Sequence, residues 1–354
     1  MSSVRPARSV VGRLTYQMRL VAAAAGFRAL APSQIEPIAA NIRLSDRCNS
    51  RCLTCRCWEL KNGSQIDTDH ALRLVEAIAR IGIPAIRFTG GEPLLRSDLF
   101  EILHACGRAG IARVGLATNG LLLERLADQV NASPITNLSV SLDGIALRND
   151  RIRGVPGYYD RVLRGLGRVR NKVIKVVSTI TSSLVHDLEN LILFCREHRY
   201  EYDVNLPHST PYFFSGDQVA ANVAQLWPSP EDVDRMVAVL SRYGILNQHL
   251  LGYAARYLKE RQSEIRHCMH GYCFVGVEPD GSVNPGCYIM PVGNIHSADL
   301  GDIVRSPEYA AAVRRMFELD CRGCSCGYAL SVMYERPLAN LGYVRRRLRR
   351  GARA

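Results

Sequence analysis

A chain of 354 residues, 47% hydrophobic and 22% charged, has a globular composition with room for one large domain and an appended smaller one. Its twelve cysteines gather in two fields instead of spreading as a disulfide framework, which favours metal binding in a reducing, cytoplasmic setting. The net charge of +12 comes from scattered arginines and the run Arg345-Arg346-Arg347-Leu348-Arg349-Arg350. Without interleaved aromatics, that run reads as a solvated tail or the mark of an anionic partner; an RNA-reading surface is not indicated.

Residues 1–37 read as a basic extension with one helix. Leu20–Ala25, behind Arg5, Arg8 and Arg13, imitates a signal peptide. Arg19 and Arg28 interrupt it, and the apolar run is too short for a membrane span. An amphipathic helix lying on the domain explains it better. Ile38–Leu44 then reads as a strand that delivers a cysteine loop. A helix follows from about Asp69 to Gly82, capped by Asp67 or Thr68. Strand Ala85–Thr89 ends in Gly90-Gly91-Glu92-Pro93. The next helix starts near Asp98, with Glu101 completing a capping box, and stops at Gly110. Strand Arg113–Thr118 runs into Asn119-Gly120, helix Leu121–Val130 follows, and strand Asn137–Leu142 ends in Asp143-Gly144. Helix Tyr158–Val169, strand Val173–Ile180, helix His186–Arg199 and strand Tyr202–Leu206 complete the series. Six strands separated by helices predict a parallel barrel or partial barrel, whose active site is built at the C-terminal strand ends. The cysteine loop, Gly90–Pro93, Asn119, Ser141 and Asp143 all fall at that edge.

The first cysteine field is Ser45–Cys55, with Cys48, Cys52 and Cys55 at a Cys-x3-Cys-x2-Cys spacing. Three such thiolates can hold three corners of a cuboidal iron–sulfur cluster and leave the fourth iron without a protein ligand. The alternative is a zinc knuckle, but zinc prefers four ligands in paired Cys-x2-Cys groups, and Cys57 follows Cys55 too closely to serve easily as the fourth. In Gly90-Gly91-Glu92-Pro93, two glycines permit close backbone approach and a carboxylate can accept from an ammonium.

The two motifs together resemble the signature of the radical S-adenosylmethionine (radical SAM) enzymes. The resemblance implies a six-unit (β/α) partial barrel. It implies a 4Fe–4S cluster on Cys48, Cys52 and Cys55, with its open iron chelating the methionine part of SAM. It also implies that Gly90, Gly91, Glu92 and Pro93 contact the SAM amino group. Ser141 and Asp143 are expected to face the SAM ribose or the substrate, Asp143 alternatively only starting a turn with Gly144. Asn119 lies at the same strand-end edge. Arg153, in Asn149–Gly154, is expected at the SAM carboxylate or the substrate, or else in solvent. One departure is Thr54, where the family often has an aromatic residue; an altered adenine contact is expected there.

The second field comprises Cys268, Cys273, Cys287, Cys321, Cys324 and Cys326. Val277–Val283 reads as a hairpin with Asp280-Gly281 at its tip, and Ser306-Pro307-Glu308 caps a helix reaching about Phe317. The arrangement resembles a SPASM or shorter twitch auxiliary domain, with a second 4Fe–4S cluster on Cys273, Cys287, Cys321 and Cys324; zinc is the rival occupant. Cys268 and Cys326 are left over. They can replace a member of the four, remain plain thiols, or donate hydrogen to a substrate radical. Cys106 and Cys195 read as core residues. The domain expectation is 1–37 extension, 38–215 partial barrel, 216–265 helical connection, 266–335 auxiliary-cluster domain and 336–354 basic tail.

The resemblance implies reductive cleavage of SAM and hydrogen abstraction from a substrate, with flavodoxin or ferredoxin as electron donor. The auxiliary cluster points to oxidation and the spare thiols to epimerisation, on a sugar- or aminocyclitol-like metabolite. The basic balance and the aromatic loop Tyr212–Phe214 hint at a polar, anionic molecule. Peptide modification is an alternative, weakened because the short preamble leaves no room for a peptide-recognition domain. Outside the enzymes, the rival is a zinc protein on nucleic acid, in which the Gly-Gly-Glu-Pro turn has no role.

Overall fold

The computed structural model describes residues 10–26, 31–32, 34–55, 57–60, 63–207, 217–287, 290–320 and 328–337. Cys321, Cys324, Cys326, the aromatic loop Tyr212–Phe214 and the arginine tail lie outside them.

Helix α1 (Val10–Ala24) precedes strand β1 (Ala39–Arg43). Then α2 (Thr68–Arg80), β2 (Ala85–Thr89), α3 (Leu99–Arg108), β3 (Arg113–Thr118), α4 (Leu123–Ala132) and β4 (Asn137–Ser141) alternate. Next come α5 (Ala146–Arg153), α6 (Tyr158–Arg168), β5 (Val173–Thr179), α7 (Ser182–Val185), α8 (Leu188–Glu197) and β6 (Glu201–Asn205). All six strands pair in parallel, in the order β6-β5-β4-β3-β2-β1. This is the mixed α/β, mostly parallel fold that the strand–helix alternation predicts. The strands alternate: Ile42, Ile86, Phe88, Leu116, Leu138 and Val176 are buried in the core, while Asn41, Arg87, Ser139 and Lys175 line the opposite, open face.

The C-terminal part does more than sit beside the barrel. After helices α9 (Asp217–Gln225), α10 (Pro230–Arg242), α11 (Gln248–Glu260) and α12 (His270–Cys273) comes β7 (Phe274–Val277). It pairs in parallel with β1, Ala39 opposite Phe274 through Ile42 opposite Val277. The antiparallel strands β8 (Ser282–Asn284) and β9 (Gly293–Asn294) continue the same sheet, giving nine strands among the described residues. Helices α13 (Leu300–Arg305), α14 (Pro307–Phe317) and α15 (Tyr328–Glu335) complete the chain's described part. The predicted hairpin and the Ser306 cap on α14 are present.

Helix α1 buries Tyr16, Leu20, Ala23 and Ala24, and the Tyr16 hydroxyl donates to the Tyr272 carbonyl at 2.8 Å. The helix therefore lies on the domain. No described helix is long and apolar enough to cross a membrane.

One local expectation fails for an identifiable reason. Asp98 precedes α3 but makes no side-chain cap, because Arg96 (2.9 and 2.5 Å) and Thr68 (2.6 Å) donate to its carboxylate instead. The helix expected over His186–Arg199 is α8, with the short α7 just before it; between the two, the Asp187 carboxylate accepts from the Ile145 N–H at 2.8 Å and pairs with Arg148 at 3.0 Å.

Candidate active site

The cysteine loop follows β1 and is held on both sides by backbone. On one side the Gly90–Pro93 turn backs onto it: Gly91 N–H donates to the Ser45 carbonyl and Glu92 N–H to the Arg47 carbonyl, both at 2.7 Å. A Cβ on Gly91 would stand 2.2 Å from the Arg47 carbonyl oxygen and one on Gly90 2.4 Å from that of Ser45, so only glycine admits this contact. On the other side the end of α5 supplies acceptors. Arg51 N–H donates to the Arg153 carbonyl (3.1 Å), Leu53 N–H to that of Ile152 (2.8 Å) and the Ser50 hydroxyl to that of Arg153 (2.8 Å). Gly154, at φ +66°, would place a Cβ 2.2 Å from the Arg51 carbonyl oxygen.

Within this clamp Cys48 and Cys55 are half-buried and Cys52 is buried. Burial pushes the Cys48 thiol up to about 12, and a hydrogen bond with Cys57 together with burial raises that of Cys55. Three ligands of one zinc ion stand about 4 Å apart. Among the described residues, only Asp67, His70 and His296 bring three ligand atoms within 4.8 Å of one another. Cys48, Cys52 and Cys55 are thus not drawn together as the ligands of a single ion are. Among the described residues, two buried donors beside the loop, Asn149 Nδ2 and Arg153 Nε, have no partner. They match a bound group that brings acceptors. The residues present fit the cluster and SAM.

Several predicted site residues have partners within the protein. Glu92 is fully buried, and its carboxylate accepts from the Thr118 hydroxyl (2.7 Å), the Asn119 N–H (2.6 Å) and the Leu94 N–H (3.0 Å). It braces the turn, and the desolvation of a buried carboxylate raises its pKa to about 7. Asp143 is turned into the protein. It is 1% exposed, accepts from the Thr179 N–H at 2.7 Å and pairs with Arg153 at 2.7 Å. Arg153 does not lie in solvent either: it reaches Cys52 Sγ at 3.8 Å over the Tyr158 ring. Ser141 lies on the open face, with its carbonyl accepting from Tyr158 at 3.3 Å. Asn119 Nδ2 approaches Cys48 Sγ at 3.8 Å and donates to Asn49 Oδ1 at 2.7 Å.

Ser50, Asn149, Tyr158 and Trp58 are absent from the sequence-based expectations. Ser50 Oγ lies 3.3 Å from Cys52 Sγ, and the Trp58 indole donates to the Cys52 carbonyl at 3.3 Å. Trp58 comes three residues after Cys55, and that closeness to the cysteine loop was the available signal.

In the second field, Cys268 and Cys287 are half-buried. Cys273 is wholly buried in the hydrophobic core where α12 meets β7, its thiol donating to the Tyr334 hydroxyl at 3.6 Å and raised by burial to about 12. Cys273 thus lies deeper in the fold than Cys268 and Cys287. Arg43 at the end of β1 joins the two fields, donating to Glu278 of the hairpin at 2.6 Å and to Asp46 of the cysteine loop at 2.9 Å.

Comparison with known proteins agrees with this geometry. The radical SAM superfamily profile matches residues 42–191, and that of the SPASM iron–sulfur cluster-binding domain matches residues 268–325. The chain is a radical SAM enzyme with a SPASM domain. Its cofactors are therefore SAM and 4Fe–4S clusters. This radical SAM enzyme is 28% identical over 314 residues to an AdoMet-dependent heme synthase of Methanosarcina barkeri, covering 80% of this chain and 87% of the relative. It is 25% identical over 241 residues to a GTP 3',8-cyclase of Synechocystis, 64% and 73% respectively. An Fe-coproporphyrin III synthase of Methanosarcina barkeri is 35% identical over 136 residues, but the match spans only 34% of that relative. Among solved structures, anSMEcpe with bound AdoMet and a Cp18Cys peptide has a TM-score of 0.61 at 17% identity, covering 88% of this chain and 98% of that one. Streptococcus suis SuiB bound to precursor peptide SuiA also has a TM-score of 0.61 at 17% identity, covering 78% and 66%. At such identities the likeness is one of fold.

Proposed function

We propose that this enzyme carries out a SAM-dependent radical oxidation of a polar, anionic small molecule. Together the bound cluster and SAM supply a 5′-deoxyadenosyl radical able to take a hydrogen atom from substrate. The carrying observation is the two-sided clamp on the cysteine loop, which presents Cys48, Cys52 and Cys55 at the C-terminal strand edge beside Gly90–Pro93. In this reading those three thiols hold the cluster. The backbone of the Gly-Gly-Glu-Pro turn receives the SAM ammonium, since the Glu92 carboxylate is occupied within the protein. Ser141, on the open face, lines the substrate side. Cys268 and Cys287, with Cys321 and Cys324, hold one auxiliary cluster, and Cys326 remains a candidate hydrogen donor.

The relatives that match over most of both chains are named for heme and for GTP, which favours a small molecule over a peptide. No sugar- or aminocyclitol-specific feature stands out among the described residues, so the substrate class is drawn more broadly here than the sequence alone suggested.

The test is iron and sulfide content after anaerobic reconstitution, for the wild type and a Cys48/Cys52/Cys55→Ala triple variant, followed by 5′-deoxyadenosine formation with dithionite. About eight irons, falling to about four in the variant, together with SAM cleavage in the wild type only, are expected. Zinc in place of iron would sink the reading. Turnover of peptides but of no small-molecule fraction would move the substrate assignment to peptides.

A further inference from the structure

The site as described leaves one cation inside the barrel without a task. On β2, Ile86 and Phe88 are buried in the core, so Arg87 between them belongs to the opposite, open face. It stands two residues, about 7 Å, below the end of the strand that leads into the Gly90–Pro93 turn. Its neighbours in register are Asn41 on β1 and Gly115 on β3. A Cβ on Gly115 would sit 3.5 Å from Arg87 Cγ, so the arginine stem lies beside the space that glycine leaves.

Among the described residues, no carboxylate pairs with Arg87 and no acceptor meets it. The acid whose field it feels, Asp203 on β6, is engaged by Lys175 of β5 at 3.5 Å, and Lys175 also meets Glu201 at 3.6 Å. Lys175 is thus neutralised and Arg87 is not. Solvent reaches Arg87 from the lumen, yet the surrounding protein desolvates it enough to lower its pKa. Both hold for a side chain on the open face of the sheet with a strand on either side. A partly desolvated cation without a counterion is costly to keep unless an anion completes it.

We propose that Arg87 anchors an oxyanion group of the substrate, carboxylate or phosphate, on the barrel wall below the SAM-binding turn. The inference rests on the reading of the strand-end edge as the reaction site. A guanidinium presents a planar fork to two oxygens of one such group. Asn41 offers a side-chain amide on the same face, and the missing side chain at Gly115 gives the oxyanion room. A molecule held there extends upward to the level of the cysteine loop.

The experiment is calorimetric titration of the reconstituted, SAM-loaded full chain with inorganic pyrophosphate and, separately, with tricarballylate. The proteins are the wild type, Arg87→Gln, Arg87→Lys and a surface control, Lys259→Gln, which removes the same unit of charge from an exposed pair. Iron content and melting temperature establish that each variant is folded. The wild type is expected to bind one probe, which distinguishes phosphate from carboxylate. Arg87→Gln should weaken that binding at least tenfold and Arg87→Lys by less, with Lys259→Gln within twofold of wild type. Undiminished binding in Arg87→Gln, equal loss in Lys259→Gln, or a wild type that binds neither probe would overturn the proposal. A wild type that cleaves SAM yet binds neither probe overturns this inference alone and leaves the radical SAM reading standing.

Discussion

Arg153 keeps its guanidinium inside the protein because Asp143, itself 1% exposed, lies 2.7 Å away. Removing one partner of such a pair leaves the other charge buried and alone, which costs about 3–5 kcal/mol. Urea unfolding of Arg153→Gln is therefore expected to show a loss of that order, and the double variant Arg153→Gln/Asp143→Asn to recover a large part of it. Equal stability of the single and double variants would mean that the pair is not what holds Arg153. Glu92 is a second buried charge with a different signature. Burial lifts its folded pKa to about 7, above the ordinary carboxylate value near ~4.3. The proton is thus held more tightly in the folded state, so the stabilisation is complete below about pH 4 and is lost as pH rises toward 7, by on the order of 3 kcal/mol. Melting temperatures at pH 5 and pH 8 should fall more steeply for the wild type than for Glu92→Gln, which lacks the ionisation. Parallel pH profiles would show that Glu92 does not titrate in this range.

At the scale of elements, the barrel strands were the most legible part of the sequence. β2 and β3 have the expected bounds, and the other four barrel strands differ by a residue or two at their ends, because alternating apolar residues mark a half-buried strand directly. Helix α5 was missed because it is polar nearly throughout and buries only Asn149 and Ile152. Its function, to offer carbonyls to a loop a hundred residues earlier, leaves no local pattern. The same limit explains the second cysteine field. Cys268 and Cys273 sit within one turn-rich window, and only the junction of α12 with β7 decides which thiol enters the core. Iron counting separates them: Cys268→Ala should lose about four irons, whereas Cys273→Ala should keep its iron and lose stability as a small core truncation does, about 1 kcal/mol. The opposite pattern would restore Cys273 as the ligand.

Across the whole molecule, spacing and residue type revealed the chemistry earlier than the architecture. Two short motifs and a cysteine-rich end were enough to point to the cofactors. The continuity of the sheet through β1 was invisible, because β7 begins more than two hundred residues after the strand it joins.

That pairing makes β1 an interior strand of a sheet whose barrel half, taken alone, would end on it. A chain cut after residue 265 would expose the β1 backbone groups that now face β7, including the Ile38 N–H that donates to the Cys273 carbonyl at 2.8 Å. Naked strand borders recruit other chains. The truncated protein is therefore expected to elute from a sizing column as aggregates, and a monodisperse monomer would contradict this. In this protein the iron–sulfur module at the C-terminal end doubles as the cover that keeps the catalytic barrel from self-association.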